Sequence, residues 1–284
     1  MPEGKLYICP TPIGNMADVS LRVLEALRNA DVICAEDTRV TGKLLSVHGI
    51  EKRIERLDEA MIEKRLDTLV ERIRAGESIA YCSDAGMPGV SDPGLRLVRA
   101  AQDAKLAYEV LPGPSALTTA YVASGFTVPN FFFGGFLPRK AGECSTTLES
   151  MKTLDAVLIF YESPKRLVAS LSRIAEAFPY REVAVCRELT KLHEEVVRMP
   201  ALELHQVFLE REEHSSIKGE IVVVIDAPSK DERAHAGQER MRDARLRAIE
   251  LKEQGGFSNK DIARLLQTEF DIARNDAYNI AVAL

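Results

Sequence analysis

The run Ser83-Asp84-Ala85-Gly86-Met87-Pro88-Gly89-Val90-Ser91-Asp92-Pro93-Gly94 decides how the whole chain is read. An apolar, strand-like segment over 78–83 leads into it, and a helical pattern opens near Gly94. Three glycines and two prolines in twelve residues fix the loop's shape and let its backbone approach a bound molecule closely. A simple connecting turn seldom needs so many restricted positions. Ligands of open α/β sheets bind outside the carboxyl ends of the strands, so this loop is a candidate binding element.

The flanking sequence fits such a sheet. Short apolar segments at 6–10, 31–35, 54–57, 78–83 and 107–111 read as strands. Between them Leu21, Leu24 and Leu27, and later Leu66, Leu69 and Ile73, recur at helical spacing, with Asp18 or Ser20 the expected N-cap of the first helix. This alternation predicts a parallel α/β domain over 1–126. Two more stiff loops follow predicted strands: Pro10-Thr11-Pro12-Ile13-Gly14-Asn15, and Pro112-Gly113-Pro114-Ser115-Ala116, whose Pro114 suits the start of a helix. Three such loops at strand ends could share one crevice. Neither G-x-G-x-x-G nor G-x-x-x-x-G-K-[ST] occurs, so the expected ligand is gripped by backbone and shape rather than at a usual dinucleotide or P-loop site.

The pattern breaks near Thr127-Val128-Pro129-Asn130, and a second α/β domain is expected over 127–227. It opens with Phe131-Phe132-Phe133, continues with strands at 156–161, 183–187 and 219–226, and has helices at 165–177 and 201–213. The polar, aperiodic stretch 228–238 reads as a linker. The rest, 239–284, is a small helical domain, where Ser258-Asn259-Lys260-Asp261 forms a capping box ahead of Ile262, Leu265, Leu266 and Phe270 on one face. From Arg233 onward nine basic residues face eight acidic ones, so the tail carries +1 and the remainder −7. Arg240, Arg242, Arg245 and Arg247 crowd together there, suiting either phosphate contacts or a solvated helix face.

At 284 residues, 46% hydrophobic and 28% charged, the chain is long enough for about two domains and a sizeable core. No apolar run approaches the ~18 residues of a membrane span. The N-terminus runs straight into a strand-like segment with no room for a signal peptide, so a cytoplasmic protein is expected. Cys9, Cys34, Cys82, Cys144 and Cys186 stand far apart and read as buried reduced thiols; neither they nor the five histidines have metal-ligand spacing, so no metal site is expected. The net charge of −6 is not that of a nonspecific nucleic-acid binder and by itself favours a small-molecule enzyme.

The S-D-A-G-x-P-x-x-S-D-P-G run resembles the fingerprint of the ribosomal RNA small subunit methyltransferase I family, within the tetrapyrrole methylase superfamily. Seven shorter matches accompany it in order: T-P-I-G-N at Thr11–Asn15, A-E-D-T-R at Ala35–Arg39, P-G-P-S-A at Pro112–Ala116, G-F-L-P at Gly135–Pro138, F-Y-E-S at Phe160–Ser163, R-E-L-T-K at Arg187–Lys191 and K-G-E at Lys218–Glu220. The resemblance covers roughly residues 5–226. It implies two α/β domains of class III methyltransferase type, with S-adenosylmethionine folded into the cleft between them. It further implies methylation of a cytidine ribose 2′-hydroxyl in the decoding region of 16S ribosomal RNA, within the small ribosomal subunit, by a homodimer. Carried over to this chain, donor contacts fall on Pro12, Ala85, Gly86, Met87, Val90, Ser115, Ala116, Glu162 and Leu189. The chain departs from the pattern at Met87, where Thr is common, and at Leu57-Asp58-Glu59-Ala60-Met61, where a His/Asn-bearing segment is usual.

A ribose hydroxyl is a poor nucleophile until its proton is drawn away, so a base or a neighbouring cation is needed. The candidates are Glu36, Asp37 and Arg39 in one cluster and Arg187, Glu188 and Lys191 in another, with Glu162 facing the same cleft. The structural alternative is that Glu36 and Asp37 cap a helix while Arg187 and Glu188 pair in a salt bridge. Two other functions fit the letters less well: a methyltransferase acting on a tetrapyrrole or another small molecule, favoured by the acidic charge, and a noncatalytic RNA-binding assembly factor on the same fold.

Overall fold

The computed structural model describes residues 4–283, apart from the side chains of residues 235 and 236; the N-terminal reading over 1–3 lies outside the described residues. Five parallel strands form the first sheet: β1 (Lys5–Cys9), β2 (Val32–Ala35), β3 (Ile54–Arg56), β4 (Ile79–Cys82) and β5 (Ala107–Val110), in spatial order β3-β2-β4-β1-β5. The inner strands β2 and β4 are apolar throughout because both their faces are buried, while the edge strands β3 and β5 carry Glu55, Arg56 and Glu109. Leu24 and Leu27 of α1 (Leu21–Asn29) and Leu44 and Leu45 of α2 (Thr38–Val47) cover one face. Leu69 and Ile73 of α3 (Glu59–Arg74) and Leu97 of α4 (Gly94–Asp103) cover the other. Ser20 caps α1 by accepting the Val23 N–H. Asp58 likewise caps α3, so the departing segment 57–61 is a helix start, with Leu57 in the core.

The helix α5 (Ala116–Ser124) leaves the first sheet and packs beneath the second, where Ala120 meets Ala184, Cys186 and Val222. The second sheet comprises β6 (Phe131–Phe136), β7 (Val157–Glu162), β8 (Glu182–Arg187), β9 (Glu195–Pro200) and β10 (Ile221–Ile225), in order β6-β7-β10-β8-β9. Only the β6–β7 pair is parallel; the other three are antiparallel. Helices α6 (Ala141–Ser150), α7 (Leu167–Ala177) and α8 (Ala201–His214) cover its outer face. The strand β9 is absent from the sequence reading because Glu195 and Arg198 interrupt its apolar residues, as an edge strand tolerates.

The stretch 228–238, expected as a linker, is instead largely the start of α9 (Lys230–Gln254). Ser229 and Glu232 build a capping box there, a helix-start signal that the polar composition masks. Buried Arg181 ties this helix to the second sheet: its Nε donates to Glu232 at 2.9 Å and its Nη2 to the Lys152 carbonyl at 2.6 Å. Beyond it α10 (Asn259–Phe270) and α11 (Arg274–Val282) share a separate core of Ala244, Ala248, Leu251, Ile262, Leu266 and Ile280. The expected Ser258 capping box is present. At 3.6 residues per turn, Arg240 and Arg247 lie on one side of α9 and Arg242 and Arg245 on the opposite side. Arg247 pairs with Glu250 and Glu269, so the four arginines form no single basic stripe. All five cysteines are free and buried, and burial pushes the Cys34 and Cys186 thiols up to about 12.

Candidate functional site

Because β4, β1 and β5 are neighbours in the first sheet, the loops that leave their carboxyl ends stand side by side. The first two are welded by a bridge between Thr11 and Gly86, whose N–H groups each donate to the other's carbonyl at 3.0 Å. Thr11 Oγ1 also donates to the Ser83 carbonyl at 3.1 Å. Gly86 has φ +79°, and its N–H and C=O are consumed by the bridge, so only its Cα face is free to meet a ligand. Asp92 closes the rest of the loop by accepting the N–H groups of Gly89 (2.7 Å) and Gly94 (2.8 Å). Ser115 occupies the N-cap position of α5 without its side chain taking an amide, which leaves first-turn N–H groups of the helix for another acceptor.

The second sheet closes the site. A cavity of about 370 Å³ lies between the loops of the first sheet and the ends of β6, β7, β8 and β10. Ile13, Ala85, Gly86, Met87, Val90, Ser115 and Ala116 line one side. Phe136, Tyr161, Glu162, Leu189 and Gly219–Val222 line the other. The two sides touch where the Asn15 N–H donates to Thr190 Oγ1 at 3.0 Å. Gly14 permits this approach, since a Cβ there would stand 2.5 Å from Lys191 Cγ. Glu188 and Thr190 both adopt positive φ (52° and 66°), so the turn carrying Leu189 to the cavity is a strained one.

Glu162 is the buried charge of the cavity wall, with no exposed side-chain surface. It accepts from Ser163 N–H (2.7 Å) and Ser170 Oγ (2.5 Å), and Arg166 Nη2 stands 3.3 Å away. A buried carboxylate so fully partnered is fixed in position.

The other sequence candidates do not line the cavity. Pro12 is buried behind Ile13 in the same loop, and Ile13 takes the lining position. Asp37 caps α2 through the Arg39 N–H; the Arg39 guanidinium, and then that amide, hold its carboxyl well below the usual carboxylate range. Arg187 pairs with Glu195 across the β8–β9 hairpin at 3.1 Å. Lys191 holds Glu188 at 2.8 Å, which with the Glu220 amide keeps the Glu188 carboxyl low. Glu36 differs. It accepts the Asp84 N–H, one residue before the cavity-lining Ala85, and Asp84 Oδ1 in turn accepts the Asp37 N–H at 2.9 Å. Burial first, and then Asp84, Asp92 and Asp58, raise the proton affinity of the Glu36 carboxyl. Tyr161, Phe136 and Ile221 are lining residues that the sequence reading did not single out; the G-F-L-P, F-Y-E-S and K-G-E segments carried the signal.

Among the described residues no helix is long and apolar enough to cross a membrane, and no cluster of three His, Cys, Asp or Glu side chains is arranged to hold a metal ion.

The family model of tetrapyrrole (corrin/porphyrin) methylases matches residues 5–205. A Thermotoga maritima protein named ribosomal RNA small subunit methyltransferase I is 42% identical over 222 residues, which is 78% of this chain and 98% of that protein. A Halalkalibacterium halodurans protein of the same name is 38% identical over 283 residues, 98% of this chain and 94% of its own. Among solved structures, a diphthine synthase superposes with a TM-score of 0.62 at 15% identity, over 82% of this chain and 94% of that one. A cobalt precorrin-4 methyltransferase gives 0.58 at 16%, over 78% and 94%. These two share the fold alone. With the parallel sheet, the mixed sheet and the cavity between them, the relatives' close identity over nearly their whole length places this chain in the ribosomal RNA small subunit methyltransferase I family, among the tetrapyrrole methylases.

Proposed function

We propose that the protein transfers a methyl group from S-adenosylmethionine to the ribose 2′-oxygen of a cytidine in the decoding region of 16S ribosomal RNA, acting on the small ribosomal subunit in the cytoplasm. The observation that carries the reading is the cavity itself. It lies between two sheets and is of the size that holds a folded small molecule. Its apolar wall meets a fixed carboxylate at Glu162 and open helix amides at Ser115 and Ala116. Those three features suit the apolar, cationic and carboxylate parts of S-adenosylmethionine respectively. Ala85, Gly86, Met87, Val90, Ser115, Ala116, Glu162 and Leu189 would hold it, with Pro12 acting through Ile13. When bound it supplies an electrophilic methyl group.

The chain's own residues position and deprotonate. Glu36 stands beside Asp84, the neighbour of the cavity-lining Ala85, with its proton affinity raised, as suits a general base toward a ribose hydroxyl. Asp84 orients the Glu36–Asp37 turn through the Asp37 N–H. Arg39, largely exposed beside Asp37, is available to an RNA phosphate. Lys191, Glu188 and Arg187 keep the Leu189 turn against the cavity. A homodimer is part of the proposal: Phe131 and Phe132 on the edge strand β6, and Val122 on α5, expose apolar surface of the kind an interface covers.

The test is transfer of labelled methyl from S-adenosylmethionine to isolated small subunits, to a tetrapyrrole and to a no-acceptor control. Label in alkali-resistant dinucleotides containing cytidine is the expected result. Label on the tetrapyrrole alone, or on a base rather than a ribose, refutes the reading.

A further inference from the structure

The geometry points to Phe136 as the platform on which the acceptor's nucleobase stacks. The inference rests on the RNA reading above and adds a residue that recognises the acceptor.

β6 runs beside β7 in register from Phe131↔Val157 to Phe133↔Ile159, and then resumes with Phe136↔Tyr161. Three steps along β6 therefore answer two along β7: one extra residue is inserted at Gly134-Gly135, a β-bulge. Both glycines are required. A Cβ on Gly134 would stand 2.2 Å from the Phe160 ring, and Gly135 has φ +66°. Without the insertion, strict alternation would turn Phe136 to the same side as Phe160, under the helices. With it, Phe136 shares a face with Phe133 and Tyr161, and the next residue, Leu137, enters the helix-side core at 1% exposure.

The consequence is a large aromatic ring aimed at the cavity without being buried. Phe136 lines the cavity yet stays 56% exposed. It packs edge-on against Tyr161, with centroids 5.7 Å apart at 69°, and Tyr161 is held in turn by Phe133 at 4.9 Å and 64°. A ring needed for folding would be covered; this one is oriented and left open. Proteins that recognise a particular RNA nucleotide target unstacked bases, which are received on aromatic side chains. With the donor in the cavity, a base on Phe136 would leave its own ribose at the rim, where the 2′-oxygen must be.

The test compares Phe136→Leu and Phe136→Tyr with the wild type by methyl transfer to small subunits and by calorimetric binding of S-adenosylhomocysteine. Leu keeps apolar bulk and removes the π face, so the subunit KM is expected to rise roughly 10- to 100-fold, with kcat and S-adenosylhomocysteine affinity near wild type. Tyr is expected to restore the wild-type KM. An unchanged KM in Phe136→Leu, with an active wild type, overturns the stacking assignment and leaves the RNA reading standing. S-adenosylhomocysteine affinity that falls in step with activity moves Phe136 to the donor side and also overturns it. A wild type inactive on subunits refutes both.

Discussion

Gly86→Ala separates what the twelve-residue loop does for the fold from what it does for the ligand. Gly86 has φ +79°, where an L-residue costs about 1–2 kcal/mol, so the variant should melt a few degrees lower. Sterics in the empty site add little: the new Cβ would lie 3.4 Å from Ile13 Cγ2 and 3.6 Å from the Pro114 carbonyl, ordinary contact distances. Binding is another matter. Gly86's backbone hydrogen bonding is spent on Thr11 and the Ser83 hydroxyl, so what it offers a ligand is the absence of a side chain between Ile13 and Ser115. A methyl group in that notch overpacks the complex by about 1–3 kcal/mol, a loss of roughly 5- to 150-fold in affinity. Calorimetry with S-adenosylhomocysteine reads this directly. Gly89→Ala is the control: it has the same kind of strain (φ +98°) and does not line the cavity. It should lower the melting point and keep the affinity. If Gly86→Ala binds within twofold of wild type, the ligand does not lie against this loop.

Three further outcomes follow from other parts of the molecule. Because folding raises the Glu36 pKa, the native state holds that proton more tightly than the unfolded chain, and stability falls as pH rises from the ordinary carboxylate value through the raised one. Glu36→Gln removes the titration, so melting curves from pH 4 to 7 should show the variant gaining on wild type as pH rises, while methyl transfer drops about 10²- to 10⁴-fold; a variant that loses ground with rising pH contradicts the assignment. Glu232→Ala strips the counter-ion from Arg181, whose side chain is 3% exposed, and should cost about 1–3 kcal/mol by denaturant unfolding. The double variant Arg181→Met with Glu232→Ala should recover much of that loss, since no charge then stays buried. Gly42 sits mid-helix in α2, and a Cβ there would rest 3.7 Å from Ile54 Cδ1, so Gly42→Ala should stabilise by about 1 kcal/mol in the same assay.

How far the sequence could be read depended on how many chain segments each feature needs. A stiff loop is a property of one segment: the glycines and prolines of 83–94 restrict its backbone wherever the fold places it, and the inner strands β2 and β4 are legible because both their faces are buried. The second sheet is less so. β9, with Glu195 and Arg198 among its apolar residues, is a strand only because β8 pairs with it. α6 shows just Cys144 and Leu148 to the core, too few to reveal a helical period. The arginines of α9 look like one cluster in the letters and separate into opposite pairs once wound at 3.6 residues per turn.

Phe136 is the sharpest case. Counted along β6 alone, it belongs with Phe132 on the helix side; only the register against β7 shows that Gly134-Gly135 inserts a residue and reverses its face. The G-F-L-P letters mark that something is required there, and the partner strand decides which way it points. The same holds for Glu36 and Asp37, adjacent carboxylates that the letters treat alike. Asp37 is claimed by the helix it begins, and Arg39 pulls its proton affinity down. Glu36 is turned toward the neighbouring loop, where burial first, and then Asp84 and Asp92, push its affinity up. Two adjacent carboxylates thus acquire opposite proton affinities, Asp37 from an arginine two positions along its own helix and Glu36 from burial and from carboxylates roughly 50 positions away.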